Sequence, residues 1–204
     1  MGYKRWMFTS IKYLVTPIFK LIYRTKYINA HNVPKEGAYI FAGNHISSVD
    51  PIIMAIGQRH RNIHFMAKSE LFKNPVLRWF FLSIGAFPVD RGNSDKGAVK
   101  HFEQILDDGE LMGIFIEGTR SKTGEFLKPK SGAALIAYDT KTPVIPVCQT
   151  KINGRRVCHF GEPMSLKDLG FENGGAREYR EASRRIMDKL KEFREQDINE
   201  SNRS

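Results

Sequence analysis

Five short apolar runs, at residues 38–42, 62–66, 86–89, 111–116 and 143–148, constrain this chain more than any other feature. Each has the length and boundaries of a buried strand. Between them lie stretches with helical spacing. Residues 51–56 stop near Gly57, and 69–82 are very apolar from Pro75 onward. In 95–107, Val99, Phe102, Ile105 and Leu106 share a face before Gly109 ends the helix. In 131–138, Gly132, Ala133 and Ala134 allow close packing. A last helix carries Tyr179, Ala182, Ile186, Leu190 and Phe193 on one face and mixed charge elsewhere. Strands alternating with helices predict an α/β fold: a single domain whose mostly parallel sheet is flanked by helices. Residues 155–160 are predicted to pair beside 143–148 as an antiparallel edge strand.

Composition narrows the class. At 204 residues and 41% hydrophobic, the chain can bury a full core in one domain. Two cysteines, Cys148 and Cys158, do not make a disulfide framework. The net charge of +10 calls for acidic partners, and its distribution says which. Residues 1–27 hold Lys4, Arg5, Lys12, Lys20, Arg24 and Lys26 with no acid, so +6 lies there. At 100° per residue, Met7, Ile11, Leu14, Ile18 and Leu21 form one stripe, with Arg5, Lys12, Lys20 and Arg24 largely opposite. No uncharged run there exceeds seven residues, far below the ~20 that span a bilayer. An amphipathic basic helix over 1–27, lying in an anionic membrane interface, fits this pattern. A helix packed on its own domain (28–204) fits it too, and the two are compatible. The stripe is aliphatic as well as aromatic, which suits lipid rather than nucleic acid.

The first strand runs directly into Asn44-His45-Ile46-Ser47-Ser48-Val49-Asp50-Pro51. This puts an imidazole and a carboxylate at the carboxyl end of a strand, where open α/β sheets build their sites. Such a pair removes the proton of a weakly acidic alcohol. The imidazole acts as base, and the carboxylate fixes its tautomer and stabilises the imidazolium. Asp50 before Pro51 also reads as a plain helix N-cap, with His45 an ordinary turn residue. On this stretch alone the plain cap-and-turn reading is the one to favour.

Two further strand ends carry arginine. Glu117-Gly118-Thr119-Arg120 offers a flexible backbone, a hydroxyl and a guanidinium, and Arg91 follows the strand at 86–89. Arginine suits bidentate phosphate binding, so the two point to a doubly charged anion near His45. The competing reading is a surface ion pair, Asp90 with Arg91 or Glu117 with Arg120. Phosphate-loop, dinucleotide and serine-hydrolase motifs are absent. His60 and His64 fall in a turn and a strand with no third ligand nearby, so no metal site is predicted. Cys158 and His159 are neighbours on a strand and face opposite ways.

Taken together, these loops resemble the glycerolipid acyltransferase family, most closely the bacterial 1-acyl-sn-glycerol-3-phosphate acyltransferases. Four blocks occur in family order: Asn44-His45 through Asp50, 85–91, 115–121 and 143–147. Ile116 departs from the pattern, which usually has proline before the glutamate. The resemblance implies transfer of a fatty acyl group from a thioester to the sn-2 hydroxyl of lysophosphatidic acid, giving phosphatidic acid. His45 would be the general base and Asp50 its orienting carboxylate. Lys68, Arg91, Glu117, Gly118, Thr119 and Arg120 would bind the acceptor, with Glu117 positioning Arg120 or its loop. It implies no metal or resident cofactor, with acyl carrier protein or coenzyme A supplying the acyl group. It also implies a peripheral position on the cytoplasmic face of the cell membrane. Another acceptor (glycerol 3-phosphate, another lysophospholipid or a lyso-ornithine lipid) or a non-catalytic lipid-binding role are the alternatives.

Overall fold

A computed structural model describes the backbone over residues 5–58, 61–89 and 96–203, and the side chains over 9–58, 61–89 and 100–203. Arg91 lies outside the described residues, as do Asp90 and His60. The chain runs α1 (Arg5–Tyr23), β1 (Lys26–Ile28), β2 (Tyr39–Gly43), α2 (Asp50–Gly57), β3 (Ile63–Lys68), α3 (Pro75–Ser83), β4 (Ala86–Val89), α4 (Lys96–Asp107), β5 (Leu111–Phe115), α5 (Gly132–Asp139), β6 (Val144–Ile152), β7 (Arg155–Phe160) and α6 (Ala176–Arg203). The seven strands form one sheet in the order β1-β7-β6-β2-β5-β3-β4. All pairings are parallel except β6 with β7. The expected fold is therefore the observed one: a single α/β domain with a mostly parallel sheet.

The central strands are apolar along their whole length because both faces are covered. Successive residues go to opposite sides, as strand geometry requires. Ile40, Ala42, Met112, Ile114, Val144 and Cys148 join Phe102, Ile105 and Leu106 of α4, Ala134 and Ala137 of α5, and Ile186 and Leu190 of α6. Phe41, Leu111, Ile145, Val147, Cys158 and Phe160 instead join Ile53 and Met54 of α2. Each large side chain fully buried in this way contributes about 1.5–3 kcal/mol.

Two expectations change at one end of the sheet. Residues 155–160 are a strand antiparallel to β6, but not an edge, because β1 pairs with β7 on its outer side. The N-terminal helix stops at Tyr23, and Lys26-Tyr27-Ile28 supply that added strand. Helix α1 lies against the sheet face that α2 covers, with Phe19 packed on that core. Ile11, Val15 and Phe19 line an apolar groove of about 240 Å³ against α2, β3 and α3. Lys12 also lines this groove rather than the polar side, and burial lowers its ammonium from the ordinary 10.5 to about 8. Leu14, Ile18 and Leu21 of the expected stripe stay exposed. No helix among the described residues is long and apolar enough to cross a membrane.

Candidate active site

The parallel strands bring their carboxyl ends to one edge, and the loop after β2 is built there around a single carboxylate. Asp50 is fully buried, the first residue of α2 rather than the cap before it; Val49 takes the capping position. Its Oδ2 turns back on the loop and accepts the backbone N–H of Ile46 (2.6 Å) and Ser47 (2.7 Å). The same oxygen accepts His45 Nδ1–H at 2.9 Å. Three donors on one oxygen fix the loop about the carboxylate and orient the imidazole, whose Nδ1 faces Asp50 and whose Nε2 faces away from it. A helix cap would need none of this, so the pairing reading wins over the turn reading.

Sequence reasoning missed what stands behind Asp50. Arg156, buried on β7, hydrogen-bonds to Asp50 Oδ1 and completes a His45–Asp50–Arg156 chain whose half-buried end is His45. Gln149 Nε2 donates to the Asp50 carbonyl (3.0 Å), and Asn44 exchanges two bonds with the Gln149 backbone. Strands β6 and β7 thus fasten the loop from below. The available signal was period-two spacing, which puts Arg156 on the same face of β7 as the apolar Cys158 and Phe160, where a charge needs a buried partner.

An aromatic stack sets the other side of the imidazole. Phe115, the last residue of β5, lies parallel to His45 with centroids 4.0 Å apart and a 12° tilt. Phe65 stacks behind Phe115 at 6.1 Å. Phe65 fits there because residue 113 is glycine: a Cβ at Gly113 would stand 2.1 Å from the Phe65 ring. Phe65 also lines the apolar groove, as does Ser48 of the His45 loop. The groove therefore lies beside the loop that carries the His45–Asp50 pair, sharing Ser48 and Phe65 with its surroundings.

The 117–121 loop docks on the same loop, since Ser121 N–H donates to the His45 carbonyl at 2.8 Å. Gly118, Thr119 and Arg120 are exposed beyond it, and Lys68 is exposed at the end of β3. Gly118 has φ +69°, and a Cβ there would meet Lys130 Cδ at 2.8 Å, so the Lys130 side chain lies across this turn. Lys130 is a cation beside the loop that the sequence did not flag. Glu117 is buried and forms no ion pair with the exposed Arg120 among the described residues. Its carboxylate instead lies close to the N–H groups of Leu127 and His45 without full hydrogen-bond geometry. Burial pushes its carboxyl from the ordinary 4.5 up to about 6, and the Asp50 charge adds to that.

The pair, the loop and the strand ends occupy one stretch of chain, and over residues 24–150 that stretch matches the family model described as Acyltransferase. The chain belongs to the acyltransferase family. As a member it resembles the 1-acyl-sn-glycerol-3-phosphate acyltransferase of Bacillus subtilis (strain 168), with 40% identity over 152 residues, 71% of this chain and 75% of that protein. The protein of the same name from Streptococcus pneumoniae is 33% identical over 153 residues, covering 70% of this chain and 56% of its own. This acyltransferase also shares its fold with the crystal structure of PlsC, the 1-acyl-sn-glycerophosphate acyltransferase from Thermotoga maritima. The TM-score is 0.66 at 23% identity, over 91% of this chain and 82% of that one.

Proposed function

We propose that this acyltransferase moves a fatty acyl group from a thioester to the sn-2 hydroxyl of 1-acyl-sn-glycerol 3-phosphate, forming phosphatidic acid. The observation that carries the reading is the His45 Nδ1–Asp50 Oδ2 bond of 2.9 Å beside an apolar groove. The relatives' names supply the acceptor. His45 Nε2 takes the hydroxyl proton as the oxygen attacks the thioester carbonyl. The new C–O ester bond forms, the C–S bond breaks, and the proton passes to the departing thiolate. A simple thiol has a pKa near ~8.5, so the thiolate leaves without a strong acid catalyst. Asp50 holds the tautomer and stabilises the imidazolium.

Lys68, Arg91, Glu117, Gly118, Thr119 and Arg120 form the acceptor site, with Lys130 beside them. Arg120 and Lys68 suit its phosphate, and Glu117 holds the loop rather than the anion. The acyl chain lies in the groove between α1, α2 and α3. The donor is acyl carrier protein or acyl-coenzyme A; either is acidic enough for the exposed cations Arg120, Lys122, Lys128 and Lys130. The reaction takes place at the cytoplasmic face of the cell membrane, where α1 rests on anionic lipid as an interfacial helix. An acceptor panel tests the reading. Acylation of 1-acyl-sn-glycerol 3-phosphate in preference to glycerol 3-phosphate, neutral lysophospholipids and lyso-ornithine lipid supports it. Preference for an acceptor without phosphate sinks the acceptor assignment.

A further inference from the structure

Helix α3 has the wrong outside for a helix facing water. Its nine residues hold one charge, Arg78. Phe80 and Phe81 turn inward and, with Ile84, line the apolar groove. Val76 and Trp79 nevertheless stand 70% and 53% exposed, with Leu77 and the preceding Leu71 also open. A helix of a soluble domain normally shows polar residues on that side. A contiguous apolar patch of this kind marks an interaction surface.

The charges around the patch say what it meets. Lys68, Lys73 and Arg78 are exposed with it, against one acid, Glu70. Helix α1 lines the same groove through Ile11, Val15 and Phe19, and its outer side exposes Leu14 (71%) and Leu21 (81%). No acid occurs in the chain before Glu36. Two helices with apolar outer sides, rimmed by cations, therefore border one apolar groove. Aliphatic residues with a tryptophan and surrounding cations are what an anionic bilayer interface selects.

We propose that α3 is a second bilayer-contacting helix. Val76, Leu77 and Trp79, with Leu71 before them, sit at the headgroup–acyl boundary alongside α1. The groove beside the His45 loop then opens to lipid between two embedded helices, and the acceptor approaches the base without leaving the interface. This inference rests on the acyltransferase reading for the lipid nature of the acceptor, but its test does not.

The chain contains two tryptophans, Trp6 in α1 and Trp79 in α3. In the full-length Trp6→Phe variant, Trp79 is the sole indole reporter. It is mixed with phosphatidylcholine–phosphatidylglycerol vesicles, plain or brominated along the acyl chains. The expected result is a blue shift of Trp79 emission and loss of most of that emission in the brominated vesicles. Vesicle-bound protein with unshifted, unquenched Trp79 overturns the proposal and leaves α1 as the contact. Val76→Glu should weaken vesicle binding about tenfold, the equivalent of 1.4 kcal/mol, while retaining wild-type acylation in detergent micelles. Equal vesicle binding by that variant also overturns the proposal. So does a lipid-free dimer that Val76→Glu converts to monomer, since a second copy would then cover the face. Absence of acylation in micelles by the wild type would instead defeat the acyltransferase reading, and is separately recognisable.

Discussion

Asp50 is wholly buried, with a guanidinium on one oxygen and three N–H donors on the other. Removing one member of a buried pair leaves the other charge uncompensated, at a cost of about 3–5 kcal/mol. Arg156→Met should therefore lower stability by that order in a urea titration, with Arg156→Lys recovering part of it. Glu117 offers a second test at this scale. Its carboxyl is raised from 4.5 to about 6, so between those values the folded chain holds a proton that the unfolded chain has lost. Stability from this group is present below pH 4.5 and falls as pH rises through 6. Urea midpoints at pH 4.5 and 7 should differ less in Glu117→Gln than in the wild type; an unchanged difference would remove Glu117 from the account.

At the scale of elements, what the sequence shows depends on how far away the partner is. His45 and Asp50 are read directly because they close a loop on themselves, four intervening residues apart. The central strands are read because covering both faces leaves an unbroken apolar run. Strand β1 is not legible: Lys26-Tyr27-Ile28 look like the tail of a basic helix and become a strand only by pairing with Val157-Cys158-His159. Arg156 is hidden for the same reason, its partner lying 106 residues earlier. The stacking of Phe115 on His45 likewise joins the ends of two adjacent strands that are far apart in the chain. Helical spacing placed Lys12 on a polar side because it could not show which side the domain would cover. Buried in the groove, Lys12 has its ammonium lowered from 10.5 to about 8. The folded chain gives up that proton more readily, so α1 should dock more firmly as pH rises from about 8 toward 10.5. The protection factor of the α1 amides, the exchange rate corrected for its intrinsic base-catalysed rise with pH, should increase over that range. Lys12→Met should raise that protection already at pH 7 and remove its increase between about pH 8 and 10.5, and unaltered protection would show that Lys12 does not govern the docking.

Across the whole molecule, charge and apolar surface meet on one side. The net charge of +10 is concentrated on an acid-free N-terminal segment, and the exposed apolar residues of α1 and α3 flank the groove. Attraction of exposed cations to anionic lipid is screened over about 8 Å at physiological ionic strength and over about 3 Å at 1 M. Vesicle binding should therefore weaken with added salt but persist in part through the apolar contacts. Complete release at high salt would mean that the contact is electrostatic alone. The sheet and the fastened loop together hold the His45–Asp50 pair beside the apolar groove. The most direct test is phosphatidic acid formation from 1-acyl-sn-glycerol 3-phosphate, with both carrier-protein and coenzyme A thioesters, by wild type and His45→Ala. The wild type should make product with at least one donor, while the variant, still folded by circular dichroism, should lose about a hundredfold or more. Equal product from His45→Ala would contradict the account, because the base would then lie elsewhere.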